Sequence, residues 1–299
     1  MVEIVETSET DAISIEEFCD EYRAQGLSSA SPEGLKECAP LLRRLSNNKR
    51  LVVDHIRDAL MQPIDARTRS VYSAQAMIMY RQNGIYLRCA VWPGVEGDLY
   101  GVSSNRAFTY EFPHDHNFDF LTIGHLGPGY ETTCYEYDYD VVDGYVGEQV
   151  DLKPLGRFRL NLDETHLYRG HRTIHVQHPP QSTSVSLNLM GTGIISAHTD
   201  QYIFDPSMQH ISEVATPNGL VHLLAIYTAT EHVESSLDMI DTIATNHPNG
   251  QVRAAAVRAI QGIACSPDIK ESIYLRAMAR GNPLVKRAAQ TALNSLASQ

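Results

Sequence analysis

Pro113-His114-Asp115-His116-Asn117-Phe118-Asp119-Phe120-Leu121-Thr122-Ile123-Gly124 joins two imidazoles, spaced by two, to an apolar run and a glycine. Residues two apart on extended chain project to the same side, so His114 and His116 face one interior. Neutral imidazoles held in that way on a rigid strand can share one metal ion. An isolated His-x-His is a common accident. Here an apolar strand follows at once, and the turn at Gly127-Pro128-Gly129 bounds it. About sixty residues on, Arg172-Thr173-Ile174-His175-Val176-Gln177-His178-Pro179-Pro180 carries more imidazoles into another extended stretch, and Ser184-Val185-Ser186-Leu187-Asn188-Leu189 follows.

Outward from this centre the β pattern extends over residues 71–230. Met77 to Trp92 reads as a hairpin turning at Asn83-Gly84. Tyr135, Tyr137 and Tyr139 alternate with Glu136, Asp138 and Asp140, the period of a half-exposed strand. No long helical pattern interrupts these strands, which excludes a parallel sheet with crossover helices and favours a sandwich or barrel of short strands. Residues 1–70 read as helical. Ser14 with Glu17 forms a capping-box pattern, Ser31-Pro32 puts proline at a first helical position, and Leu51, Val52, His55, Ile56 and Leu60 recur at helical spacing before Pro63. Residues 231–299 return to helix and repeat: Val252-Arg-Ala-Ala-Ala-Val-Arg-Ala-Ile matches Val285-Lys-Arg-Ala-Ala-Gln-Thr-Ala-Leu at a period of 33, each copy preceded by a proline.

The paired histidines, the apolar strand and glycine turn after them, and a further histidine on a later strand resemble the cupin superfamily over residues 75–200. The resemblance implies an α+β chain: a cupin-type β-barrel (double-stranded β-helix) with N-terminal helices and, from the repeat, a C-terminal HEAT-like helical unit. It also implies a metal held by His114, His116 and His175, with His171 and His178 the alternatives to His175. The glutamate usual in cupins would fall at Phe120, and Asp119 beside it faces away, so the pattern is similar to three-His, cysteine-dioxygenase-like centres. Such a centre suits Fe(II), leaves positions open for substrate and O₂, and points to a non-haem iron oxygenase acting on a small polar, amino-acid-like substrate. A non-redox isomerase or lyase, or a metal-binding module with an interaction repeat, are the alternatives. Arg88 and Arg106 are candidates to fork a substrate carboxylate. Tyr130 is a candidate for the cavity lining, and Gln177 shares the face of His175. His125 and His166 read as structural or pocket-lining.

The net charge of −12 argues against a nucleic-acid partner. No run reaches the length of a membrane span. From Pro248 onward seven Lys/Arg stand against two Asp/Glu, a balance of +5 that leaves −17 on the rest. The basic end is expected to dock on the acidic body or on a second subunit, as in a homo-oligomer. Cys19, Cys38, Cys89, Cys134 and Cys265 are odd in number and form no Cys-x-x-Cys pair; reduced thiols in a cytoplasm are the simplest account. No GxGxxG, GxxxxGK[ST] or GxSxG motif is present.

Overall fold

A computed structural model describes residues 2–61, 73, 75–97, 100, 105–193, 199–230 and 236–298, the side chains of 105, 106, 229 and 230 excepted. These divide into two units: the described parts of Met1–Asp138, Asp151–Ile195 and Pro206–Met208, and those of Tyr139–Val150, Ser196–Asp205 and Gln209–Gln299.

The first unit is built on antiparallel sheets. A six-stranded sheet has the order β1 (Glu3–Ile4), β7 (Thr165–Tyr168), β4 (Phe120–Leu126), β9 (Ser184–Met190), β3 (Ile85–Trp92), β2 (Ala76–Gln82). A three-stranded sheet has the order β6 (Lys153–Leu160), β5 (Tyr130–Glu136), β8 (Thr173–His178). Side-chain alternation divides the larger sheet cleanly. Leu87, Cys89, Leu121, Ile123, Leu167, Leu187 and Leu189 lie on one face and share a core with Phe18, Tyr22, Leu35, Leu42 and Leu45 of the N-terminal helices. Those helices are α1 (Ile15–Ala24), α2 (Pro32–Glu37), α3 (Ala39–Asn47) and α4 (Leu51–Met61). The capping box is formed, with Glu17 N–H donating to Ser14 Oγ and Ser14 N–H to Glu17 Oε2. The opposite face carries Arg88, Trp92, Phe120, Thr122, Tyr168, Ser186 and Met190 towards the smaller sheet, where Trp92 stacks on Tyr130 at 4.0 Å.

The strands do not close into the expected barrel. The sheets end at β1 and β2 and at β6 and β8, and isolated bridges such as Gly124–Leu162 tie single strand residues to the connecting segments. The strand read across Tyr135–Asp140 stops at Glu136, and Tyr139–Val141 forms a 3₁₀ turn. Tyr137, just beyond that strand, is buried, and its hydroxyl donates to the buried carboxylate of Asp115.

The second unit pairs β10 (Gln201–Phe204) with β11 (Ile211–Thr216) and adds helices α5 (Gly219–Thr230), α6 (Leu237–Asn246), α7 (Gly250–Ile260), α8 (Pro267–Arg280) and α9 (Pro283–Ala297). The 33-residue repeat has a structural counterpart in its caps. Asn249 accepts from Val252 N–H at 3.0 Å, and Asn282 accepts from Val285 N–H at 2.9 Å. Val252 and Ala256, with Val285 and Ala289, are buried at matching positions. No described helix is long and apolar enough to cross a membrane.

Candidate metal centre

His114 reaches the interior from a segment that is not a regular strand. It is pinned opposite His175 of β8 by two backbone hydrogen bonds, His175 N–H to His114 O at 2.9 Å and His114 N–H to His175 O at 3.2 Å. The next link, His171 N–H to His116 O at 2.8 Å, carries the pairing on. Both histidines of the pair thereby face the side of β8 that carries His175.

The three rings meet. Centroid separations are 4.5 Å for His114–His175, 4.9 Å for His116–His175 and 5.0 Å for His114–His116, with interplanar angles of 68°, 88° and 88°. One nitrogen from each lies within 4.8 Å of the others, and among the described residues this is the one such convergence of three His, Cys, Asp or Glu. His114 Nδ1 lies 2.7 Å from the Phe112 carbonyl. A carbonyl only accepts, so Nδ1 carries the proton and Nε2 keeps its lone pair. That Nε2 is 3.1 Å from His175 Nε2. Neighbouring ligands at right angles on an ion about 2.1 Å away are about 3.0 Å apart, so the spacing fits a shared divalent cation.

Electrostatics agree. Burial, outweighing the Phe112 carbonyl, pushes His114 down to about 4. Burial, with the charges of the neighbouring imidazoles and Arg88, holds His116 and His175 well below the usual histidine range. The group is therefore neutral, as metal ligation needs. His116 keeps partial solvent contact while His114 and His175 are buried, so solvent reaches the group from the His116 side.

Phe120 stands beside the group on β4. Its ring stands edge-on to His116 at 5.1 Å and stacks on Tyr168 at 4.9 Å. Asp119 points elsewhere and accepts from Gly170 N–H. His178 is on the outer side, between Glu111 Oε1 at 2.7 Å and Thr133 Oγ1 at 2.8 Å. Neither His171 nor His178 belongs to the converging group. His166 sits 2.6 Å from Glu164, and His125 faces the helices beside Ser46.

Of the residues read as substrate-binding, Arg88 lies on the inner face of β3, near enough for its charge to act on all three histidines and on Tyr130. Tyr130 is buried with its hydroxyl towards Ser186 and Thr122; burial raises its pKa, so it stays protonated. Gln177 is 5% exposed, with Nε2 3.1 Å from His175 Nε2. The side chain of Arg106 lies outside the described residues. Sequence reading missed the Trp92–Tyr130 stack and Tyr168, whose ring is 5.3 Å from that of His175. The inward parity of Trp92 and Tyr168 on their strands was the available signal.

No protein-family model matches the chain, and no relative is found among curated proteins. Among solved structures it is similar to the hydroquinone 1,2-dioxygenase PnpCD in complex with Cd²⁺ and 4-hydroxybenzonitrile, at 13% identity over 45% of this chain and 73% of that one, with a TM-score of 0.26. It is also similar to the hydroquinone 1,2-dioxygenase from Sphingomonas sp. TTNP3 with 4-hydroxybenzoate bound (11% identity, 46% and 78% coverage, TM-score 0.28). A third is the DMSP lyase DddQ from Ruegeria pomeroyi DSS-3 (9% identity, 47% and 54% coverage, TM-score 0.24). Likeness at this level carries no weight for activity, which rests on the geometry of the site.

Proposed function

We propose that the chain is a non-haem Fe(II) oxygenase acting on a small polar substrate that bears a carboxylate, an amino acid or a derivative of one. The observation that carries this reading is the group itself: three buried or half-buried neutral imidazoles, His114, His116 and His175, with no carboxylate among the converging ligands and an arginine beside them. Bound there, Fe(II) would supply open coordination positions and the redox capacity on which O₂-dependent oxidation depends. The protein's own part is positional. Arg88 holds a planar fork of donors suited to a carboxylate, and Arg106 is the second candidate for that role. Tyr130 keeps its proton and donates a hydrogen bond, its ring fixed against Trp92. Phe120 and Tyr168 form an aromatic wall beside the histidines. The C-terminal helices are a HEAT-like unit that supplies no ligand.

Protein purified without oxygen and loaded with Fe(II) is expected to consume O₂ when screened against amino acids and thiols, whereas Zn(II)-loaded protein stays inert. Equal turnover with Zn(II) under anaerobic conditions would replace the oxygenase by a Lewis-acid isomerase or lyase. Tight metal binding without turnover on any substrate would reduce the site to a binding module.

A further inference from the structure

Gln177 follows His175 by two on β8 and shares its face. Its backbone is fixed on both sides, to β5 opposite Thr132 and to the Tyr110 segment through Glu111 N–H to Gln177 O at 3.0 Å. The side chain has little freedom and almost no solvent. Its Nε2 lies 3.1 Å from His175 Nε2, and its Oε1 is buried with no hydrogen-bond partner. A buried amide oxygen left unsatisfied forfeits its hydration with nothing in return, so native structures nearly always give it a partner.

Hydrogen bonding among these side chains cannot satisfy all of their polar ends at once. His175 Nε2 carries either one proton or one lone pair, yet it faces two groups at 3.1 Å, His114 Nε2 and the Gln177 amide. His114 Nε2 already presents a lone pair, because its Nδ1 is committed to the Phe112 carbonyl. Three polar ends thus point at a common place with too few protons between them. A cation there satisfies all three. The amide oxygen and nitrogen exchange by a half turn about the Cγ–Cδ bond, with no other atom displaced. That turn puts Oε1 at the 3.1 Å position, close to the separation of about 3.0 Å expected for adjacent ligands on one ion.

We propose that Gln177 is a fourth ligand of the metal, through Oε1, making the centre three imidazoles and one amide. The inference rests on the metal-centre reading above and moves Gln177 from the substrate's side to the metal's. It gives the ion an oxygen donor where Phe120 offers none, and the ligand set stays uncharged. The positive charge of the ion then remains to be matched by an anionic substrate next to Arg88.

Co(II) alone, titrated into the full chain, tests this. Gln177→Leu is expected to weaken Co(II) binding by about tenfold or more. Gln177→Glu, which offers an oxygen in the same place with a charge, is expected to bind Co(II) at least as tightly as the native chain. Both variants should shift the ligand-field absorption of the bound Co(II). Weakening by Gln177→Glu as large as that by Gln177→Leu would overturn the proposal, since it would show that the amide acts as an N–H donor. Unchanged affinity and spectrum in both variants would overturn it as well. Where Gln177→Leu fails to fold, Gln177→Glu decides by the sign of its effect. If the native chain binds no Co(II), the metal centre itself is lost; if it binds and the variants match it, only the amide ligand is lost.

Discussion

Phe120 shows how one residue redirects a site. A carboxylate at its position would bring a negative charge; the phenyl ring stacks on Tyr168 and brings none. This much was legible in the sequence, because parity on extended chain fixes which side chains share a face. Parity likewise separates His175 from His178. We expect His175→Ala to lose stoichiometric metal after dialysis and His178→Ala to retain it, read by metal analysis; retention in the first would remove the third ligand. His125 was not legible to the same degree, since its partner Ser46 lies 79 residues away. Burial above all, with Lys49 nearby, pushes His125 down to about 4. The unfolded chain protonates it near the ordinary 6.5, and the folded chain does so only near 4. Its contribution is complete above about pH 6.5 and is lost as pH falls towards 4, a swing of about 3 kcal/mol at 1.36 kcal/mol per unit. Denaturant unfolding at pH 7.5 and 4.5 should show a smaller pH loss in His125→Gln than in the native chain. Equal losses would mean that His125 is not held neutral.

Elements whose signals are local were readable one by one. The capping box at Ser14, the proline opening α2 and the Asn83-Gly84 turn of the β2–β3 hairpin are all formed. Elements set by distant partners were not. Strand β6 contains Pro154 and Gly156, which disguise it, and it exists through pairing with β5. The end of β5 at Glu136 and the open sheet edges depend on contacts that no periodicity records. Gly124 is such a contact: a Cβ there would sit 2.1 Å from the Asn161 carbonyl oxygen, backbone that cannot yield. Gly124→Ala is expected to cost about 2–4 kcal/mol. Gly84→Ala, strained by a φ of 76° but facing open space, should cost about 1 kcal/mol. Denaturation midpoints compare them, and a loss at Gly124 no larger than at Gly84 would deny the close approach.

For the whole molecule, the sequence separated helical ends from a β centre but could not show how the pieces are shared. Among the described residues the N-terminal helices share the core of the six-stranded sheet, and the C-terminal helices have their own, from Ile240 and Val257 to Val285. Two separate cores lead us to expect two calorimetric transitions. Saturating Co(II) should raise only the one belonging to the unit that holds His114, His116 and His175, by about 2.7 kcal/mol at a hundred times Kd. A single transition, or an equal shift in both, would count against independent units.

The second unit is assembled from stretches far apart in the chain. Gln251 donates from its side-chain amide to the Gly144 carbonyl, and Asn249 reaches Asp200. Synthesis imposes an order on these contacts. At about 5–20 residues per second, the ribosome needs roughly 5–20 s to travel from Val150 to Gln251. Throughout that interval the segment Tyr139–Val150 is already made, while the helix it closes on has no existence yet. The nascent chain therefore carries an open tether until α7 emerges to close it.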